Sequence, residues 1–193
     1  MVIGLGNPGL EYHRTRHNSG ADAVALLADR HGGSLRRDGK IKVLADTVRV
    51  GQHRIVVGFP QTYYNESGLA AGALLRRHDL AADRLIVVHD ELDLPPGRIK
   101  VKVGGGLAGN KGLKSIKAHL KTDDFVRVRI GVGKPPGAQQ GADHVLRRPG
   151  KAERTELDIV IQEAADAVEL ILADGPDAAM NRFNRTAERD PGA

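Results

Sequence analysis

Short apolar runs alternate with amphipathic segments along the whole chain. The apolar runs and the segments with period-two alternation predict strands at residues 1–3, 41–50, 53–59, 85–88, 98–103 and 126–130. Apolar positions spaced three and four apart predict helices at residues 19–30, 65–77, 112–120, 153–173 and 176–184. Because strands and helices take turns throughout, we expect an α/β fold in a single domain over residues 1–184.

Two segments lack such a pattern. Residues 134–149 are rich in Gly and Pro at their start, which is typical of a mobile connection that could close over a ligand. Residues 185–193 follow the last predicted helix, and we expect them to form a frayed, disordered tail.

The first eighteen residues join a glycine-rich turn to a histidine. Three glycines within residues 4–9 allow the backbone to approach other backbone or a ligand closely, and Asn7-Pro8 fixes the turn. His17 follows, directly before Asn18 and Ser19, the candidate N-caps of the first helix. In α/β proteins ligands bind at this edge of the sheet, so we expect a site here.

The same glycines match Gly-x-Gly-x-x-Gly, the fingerprint of a dinucleotide site. Such a site needs glycines that open a helix directly and an acidic residue at the end of a second strand. Here residues 10–16 intervene before the helical pattern begins. Asp29 lies inside the predicted helix and Asp46 is too far along the chain. The dinucleotide interpretation is therefore the weaker one.

A second titratable group, Asp90, follows the apolar run 85–88. If its strand neighbours the first strand, Asp90 can accept the Nδ1–H of His17 and leave Nε2 free to take a proton. The chain has no cysteine and no Gly-x-Ser-x-Gly elbow, so water is the expected nucleophile. The side-chain amides of Asn7 and Asn65 can orient a substrate and stabilise an oxyanion. The pattern predicts hydrolysis of an activated acyl bond.

Each of these residues also has an ordinary structural interpretation, as a packed histidine, a turn former or a helix cap. A further alternative is a hard divalent cation held by His89, Asp90, Glu91 and Asp93. Carboxylates elsewhere do not obviously complete such a site, so we expect neither metal nor cofactor.

A basic surface is the other chemical signal. Lys100 and Lys102 alternate with apolar residues in one predicted strand, as Arg127 and Arg129 do in another. Lysines also recur at helical spacing beyond the glycine-rich segment 104–109. Lysines around a helix N-terminus suit a phosphate, although a solvated charged face gives the same pattern.

Composition narrows the partners. The 193 residues carry 29 basic and 24 acidic side chains, a net charge of +5, which permits an anionic partner. Three Tyr, three Phe and no Trp argue against a stacking platform for single-stranded bases. The longest apolar runs are far too short to span a membrane and no leader pattern precedes the first strand. We expect a cytoplasmic protein.

Several long motifs, in order, resemble those of the bacterial peptidyl-tRNA hydrolases. They are residues 4–9 (GLGNPG), Tyr12 with 15–20 (TRHNSG), 60–68 (PQTYYNESG), 89–97 (HDELDLPPG), 104–116, 125–133 and Asn181-Arg182. The resemblance spans residues 1 to about 184. It implies a monomeric, metal-free esterase with a twisted, mostly parallel sheet between helices, which cleaves the ester linking a peptide to the tRNA 3′ ribose and frees the tRNA.

The resemblance also assigns roles by position. It implies that His17 is the catalytic base, that Asp90 orients it and that Asn7 and Asn65 hold the peptide backbone and carbonyl. Tyr12 falls at the wall of the site. Basic positions that the family uses on tRNA phosphate correspond to Lys100, Lys102 and Arg129.

Two departures from the family pattern affect the substrate-binding region. The usual Gly-His-Asn-Gly-Leu is Gly-Asn-Lys-Gly-Leu here, so Asn110 and Lys111 stand where the family has His and Asn. Asn110 could supply the displaced amide, Lys111 could donate a hydrogen bond, or activity could be reduced. Tyr64 replaces a frequent Met and is expected to reshape an apolar wall. Asn110 and Lys111 leave open an alternative function, a catalytically weakened paralogue that binds RNA.

Overall fold

The computed structural model describes residues 1–135 and 141–185, and a single mixed sheet runs through it. The seven strands are β1 (Val2–Gly4), β2 (Arg36–Asp38), β3 (Val43–Val50), β4 (His53–Pro60), β5 (Ile86–Glu91), β6 (Ile99–Val103) and β7 (Val126–Gly131). The helices are α1 (Ser19–Arg30), α2 (Ser67–Arg77), α3 (Lys111–Leu120), α4 (Gly141–Leu146) and α5 (Lys151–Phe183). The predicted α/β class is confirmed.

Strand order in the sheet is β2-β3-β4-β1-β5-β7-β6. The central strands β4, β1, β5 and β7 are parallel to their neighbours within this group, whereas β2, β3 and β6 add antiparallel pairs at the two edges. Parallel strands need a crossover, and helices α1, α2 and α3 lie in the crossovers between them. Because β1 and β5 are adjacent and parallel, their carboxyl ends lie side by side at the same end of the strands.

Each face of the sheet carries its own apolar core. One core is formed by residues of α1 and α5 against the sheet, with Val24, Val128 and Val168 fully covered. The other joins the opposite face to α2 and α3 through residues such as Leu74 and Ile116. Strands covered on both sides account for the continuous apolar runs of the sequence.

Most predicted elements are present with boundaries shifted by a few residues. The strand predicted at 85–88 continues to Glu91, so Asp90 lies in the strand and not in a loop after it. The predicted break between the last two helices falls at Gly175, whose φ of 87° is left-handed and interrupts α5. The prediction missed β2, a three-residue edge strand that is largely exposed and so carries no apolar signal.

The predicted mobile connection at 134–149 needs a correction. Part of it forms α4, whose Val145 is buried. The guanidinium of Arg16 donates hydrogen bonds to the carbonyls of His144 and Arg147, and this holds the segment against the start of α1. Residues 136–140 lie outside the described part of the chain, as do residues 186–193 of the predicted tail.

Candidate active site

His17 and Asp90 lie in direct contact at the carboxyl edge of the sheet. The Nδ1 atom of His17 is 2.9 Å from Oδ2 of Asp90. An ionised carboxylate only accepts hydrogen bonds, so Nδ1 carries the proton and Nε2 has the free lone pair. Asp90 is 4% exposed, whereas the His17 side chain keeps 17% of its surface in solvent. The imidazole can thus reach a ligand while its orienting partner is buried.

Close packing of α1 on the sheet brings these two groups together. β1 is paired with β5, and the chain continues from β1 with a hydrogen bond from Leu5 N–H to the Val88 carbonyl. Gly20, in the first turn of α1, leaves no space for a side chain, because a Cβ there would collide with that same carbonyl. His17, one turn earlier, is therefore held beside the end of β5.

Asn7 lies deeper in the same site and is buried. Its Oδ1 accepts a hydrogen bond of 2.8 Å from the backbone N–H of Tyr64. With Oδ1 engaged in this way, the Nδ2 group is the part of Asn7 that can donate to a substrate carbonyl.

Asn18, one of two candidate N-caps, is the N-cap residue of α1, but it does not cap the helix with its side chain. Instead it clamps the backbone of Asn7, accepting from the N–H at 2.9 Å and donating to the carbonyl at 2.9 Å. Sequence reasoning missed this function, and the only signal for it was an amide residue next to the site histidine.

Tyr64 is part of the apolar core, as its expected place in an apolar wall requires, and it also makes polar contacts that the sequence did not predict. Its ring is 5% exposed and stacks on the His17 imidazole, with centroids 3.7 Å apart and planes 16° from parallel. Its hydroxyl donates to Oδ1 of Asp90 at 2.9 Å. Burial and the neighbouring Asp90 carboxylate raise the pKa of Tyr64 well above its usual value, so the phenol keeps its proton.

The side-chain amide of Asn110 is engaged at both ends. Oδ1 caps α3 by accepting from Leu113 N–H at 3.0 Å, and Nδ2 donates to the Tyr64 hydroxyl at 2.8 Å. Two of the three positions at which the chain departs from the family pattern, 64 and 110, therefore contact each other. Lys111 begins α3 and is exposed. With Asn110 occupied, Lys111 is the residue of this pair that is available to a substrate.

The remaining predicted substrate residues lie on surface segments. Asn65 is exposed in the single helical turn that follows Tyr63. Tyr12 is half-buried in the loop between β1 and α1, where its carbonyl accepts the Thr15 hydroxyl. The structure records no side-chain hydrogen bond from either to His17 or Asp90 within the described residues.

The predicted basic positions lie on the two strands at one end of the sheet. The register places Lys100 opposite Arg129 and Lys102 opposite Arg127. All four side chains therefore lie on the face of the sheet whose other strands are covered by α2 and α3. Lys100 is exposed and Lys102 half-buried. We call Lys100, Lys102 and Arg129 the basic face.

Two arginines of this pattern are not free cations. Arg127 is 2% exposed and its guanidinium donates to the carbonyls of residues 104–106, so it holds the glycine-rich segment from below. Arg129 forms an ion pair of 3.0 Å with Glu91, whose side chain is buried. An arginine that alternates with valines can face solvent, or it can donate hydrogen bonds to a neighbouring loop. The sequence alone could not distinguish these two arrangements.

The acidic groups considered as ligands of a divalent cation interact with other side chains of the protein. Asp90 is shared by His17 and Tyr64, Glu91 pairs with Arg129, and Asp93 pairs with Lys134 at 2.7 Å. Within residues 1–135 and 141–185, no three His, Cys, Asp or Glu side chains converge as metal ligands would. This arrangement favours acid–base chemistry by His17 over a metal centre.

Comparisons with known proteins agree over nearly the whole chain. The family model described as "Peptidyl-tRNA hydrolase" matches residues 1–191. Curated peptidyl-tRNA hydrolases from Cutibacterium acnes and Rhodococcus erythropolis are 46% and 47% identical to the chain, each aligned over 95% of it and 97% of the relative. The crystal structure of peptidyl-tRNA hydrolase from Acinetobacter baumannii superimposes with a TM-score of 0.89 at 36% identity, covering 95% of this chain and 93% of that one.

Proposed function

Because the chain belongs to the peptidyl-tRNA hydrolase family and hydrolyses peptidyl-tRNA, we propose that His17 and Asp90 activate the water that attacks the ester. The observation that carries this proposal is the 2.9 Å contact from Nδ1 of a partly exposed imidazole to a buried carboxylate. That contact fixes the tautomer in which Nε2 can act as a general base.

The reaction follows from this tautomer. Nε2 of His17 takes a proton from water as the oxygen attacks the carbonyl carbon that joins the peptide to the 3′ ribose. The tetrahedral intermediate carries its negative charge on the former carbonyl oxygen. When it collapses, the ester C–O bond to the ribose breaks, and the imidazolium returns its proton to the departing ribose oxygen. The products are free tRNA and a peptide with a carboxyl terminus.

Amide donors near the base stabilise the developing charge. The Nδ2 group of Asn7 is positioned for this, because Oδ1 is held by the Tyr64 N–H. Asn65, exposed in the next turn, adds a donor to the peptide backbone. Tyr12 and Lys111 complete the surroundings of the substrate, Lys111 as a cation at the N-terminus of α3. Tyr64 and Asn110, predicted to bind substrate, act instead through their contacts with Asp90 and with each other.

The basic face binds the tRNA. Lys100 and Lys102 offer ammonium groups to backbone phosphates, and Arg129 adds a guanidinium whose charge is partly neutralised by Glu91. A strand spacing of about 4.8 Å between β6 and β7 places Lys100 and Arg129 side by side, as a phosphate contact requires.

We further propose that residues 1–184 form one domain, that the protein acts as a monomer in the cytoplasm, and that catalysis uses neither cofactor nor metal. None of the described helices is long and apolar enough to cross a membrane. The acidic side chains near the site are each taken up by a protein partner, which supports a metal-independent reaction.

Deacylation of an N-blocked aminoacyl-tRNA tests the proposal. His17→Ala should lower turnover by roughly 10²–10⁴-fold, the usual contribution of a general base, and leave tRNA affinity nearly unchanged. His53→Ala is the matched control, because His53 is exposed at the start of β4, at the opposite end of the sheet. Equal turnover by His17→Ala and wild type would refute the assignment. Addition of chelator should have no effect, and a loss of activity would revive the metal alternative.

The weakened RNA-binding paralogue rests on Asn110 and Lys111 alone. The similarity to proteins named peptidyl-tRNA hydrolase extends across both positions and favours the enzyme. Measured turnover in the assay above decides between the two.

A further inference from the structure

Tyr64 belongs to the apolar core beside α2 and α3, and it also contacts both members of the central pair. Its buried ring lies flat against His17, and its hydroxyl reaches the one carboxylate oxygen of Asp90 that His17 does not use. Both oxygens of Asp90 thus receive a hydrogen bond, one from the base and one from Tyr64. The carboxylate can neither rotate nor move toward the imidazole without breaking the second bond.

The direction of these hydrogen bonds is fixed by the backbone. Leu113 N–H can only donate, so the Asn110 atom that meets it is Oδ1 and the other is the Nδ2 donor. That donor points to the Tyr64 oxygen at 2.8 Å, which leaves the single phenolic proton directed at Asp90. The order of donation is therefore Asn110 to Tyr64 to Asp90, with His17 donating to the same carboxylate from the other side.

We propose that Tyr64 is a positioning residue for the base, which fixes the orientation of Asp90 and limits how strongly that carboxylate holds the protonated His17, with Asn110 directing the Tyr64 hydroxyl. This inference rests on the proposed function of His17. Gly112 belongs to the same arrangement, because a side chain there would collide with the Tyr64 ring.

The electrostatic consequence has a definite sign. A hydroxyl that donates to the carboxylate takes up part of its negative charge, which weakens its attraction for an imidazolium. Removal of the hydroxyl leaves Asp90 with His17 as its hydrogen-bond partner, so the charged imidazolium becomes easier to form. The His17 titration then moves to higher pH, and more of the enzyme is in the inactive protonated form at a given acidic pH.

Other titratable and charged groups also surround the site. From the several elements packed here they are His89 and the Glu91–Arg129 pair on the strands, Arg127 under the glycine-rich segment, Lys111 on α3, and Arg16 paired with Glu153. The Tyr64→Phe change leaves all of them in place. A shift in the His17 titration is therefore attributable to the missing hydroxyl.

The test compares Tyr64→Phe with Tyr63→Phe, which removes the same atom from the neighbouring ring that is 61% exposed. We measure kcat and KM for N-blocked aminoacyl-tRNA across pH, and the His17 titration in the free protein by NMR, with His17→Ala to assign the signal. For Tyr64→Phe we expect kcat to fall roughly three- to tenfold at constant KM, the equivalent of one hydrogen bond. The midpoint of the His17 titration should lie at higher pH in this variant than in wild type. Tyr63→Phe should leave the midpoint in place.

Asn110→Ser provides a second variant that does not alter the ring. Serine keeps the cap of α3 but is too short to reach the Tyr64 hydroxyl, so we expect a smaller shift in the same direction. An unchanged midpoint and unchanged kcat in Tyr64→Phe would overturn the positioning role even if wild type is fully active. An inactive wild type would instead overturn the proposed function, and the NMR titration would still report on Tyr64.

Discussion

The site around His17 and the basic face work by opposite physical means. At the site, buried groups are held by short hydrogen bonds, and Asp90 and Asn110 each have both side-chain polar atoms engaged. On the basic face, Lys100 is exposed and Lys102 half-buried, and their charges act through solvent. A fixed network gives geometry that salt does not screen, whereas exposed charges give affinity that falls with ionic strength. Changes in the first region should therefore reduce kcat, and changes in the second should raise KM.

The largest effect is expected for Asp90→Asn. The amide can no longer accept from Nδ1 as an anion, and it favours the wrong tautomer of His17, so turnover should fall by up to about 10⁴-fold. KM and tRNA affinity should change little. Asp166→Asn removes an ion-paired carboxylate from the distant α1–α5 surface and serves as the control. A kcat within a few-fold of wild type would exclude Asp90 from catalysis.

The Asn7→Asp variant tests the donor end of the Asn7 side-chain amide separately from its acceptor end. Aspartate keeps the acceptor for Tyr64 N–H but loses the Nδ2 donor and places negative charge where the oxyanion forms. We expect kcat to fall by roughly 10²–10³-fold, as when an oxyanion donor is removed. Gln162→Glu makes the same chemical change on the exposed surface of α5 and should be silent. Loss of tRNA binding without loss of kcat would contradict the role.

Arg129→Ala should affect both tRNA binding by the basic face and the stability of the fold. It removes a charge from the basic face and leaves the buried Glu91 carboxylate without its ion pair. We expect a loss of unfolding free energy approaching about 3 kcal/mol, the lower end for breaking a buried pair, because Arg129 is partly exposed. Chemical denaturation measures it, with Lys100→Ala as the control that should weaken binding only. Equal stability of the two variants would show that the pair contributes nothing.

The double variant Lys100→Ala, Lys102→Ala tests the basic face alone. KM should rise and kcat should stay the same, because neither side chain contacts the His17 site. The logarithm of the association constant falls linearly with the logarithm of salt concentration. This slope should become less steep by about 0.7–0.9 for each phosphate that the protein no longer neutralises. Lys151→Ala removes an exposed cation from the start of α5 and controls for net charge. A fall in kcat with an unchanged salt slope would contradict the assignment.

His89 gives the smallest effect, a pH dependence of stability. Burial lowers the pKa of His89, so the unfolded chain binds a proton that the folded protein does not. The unfolding free energy should therefore decrease as pH falls below about 6.5, by at most about 1.4 kcal/mol per pH unit. His89→Asn keeps a donor for the Asp90 carbonyl but cannot be protonated, so its unfolding free energy should depend less on pH. An identical pH dependence would contradict this origin.

The fold and the central pair could be predicted because their signals are local or repetitive. An apolar run indicated β5, and alternation of basic with apolar residues indicated β6 and β7. The register that places Lys100 opposite Arg129 came from the structure. The meeting of His17 with Asp90 required only that β1 and β5 be neighbours, which a short apolar first strand in an α/β protein favours.

The contacts that escaped prediction join residues whose local patterns give no indication of one another. Tyr64 and Asn110 are 46 residues apart, and nothing in either local pattern indicates that they meet. The buried guanidinium of Arg127 has the same alternation as an exposed lysine, so its role depends on where the glycine-rich segment folds. Positions 64 and 110 both depart from the family pattern, as position 111 does, but the sequence did not indicate that the first two contact each other.

Chemical rescue of His17→Ala tests the central claim most directly. The variant removes the base but leaves Asp90 and the flat face of Tyr64, against which the native imidazole stacks. We predict that it binds tRNA like wild type, hydrolyses N-blocked aminoacyl-tRNA at least about 10²-fold more slowly, and recovers part of its rate when free imidazole is added. Turnover by His17→Ala at the wild-type rate with no imidazole present would contradict the account.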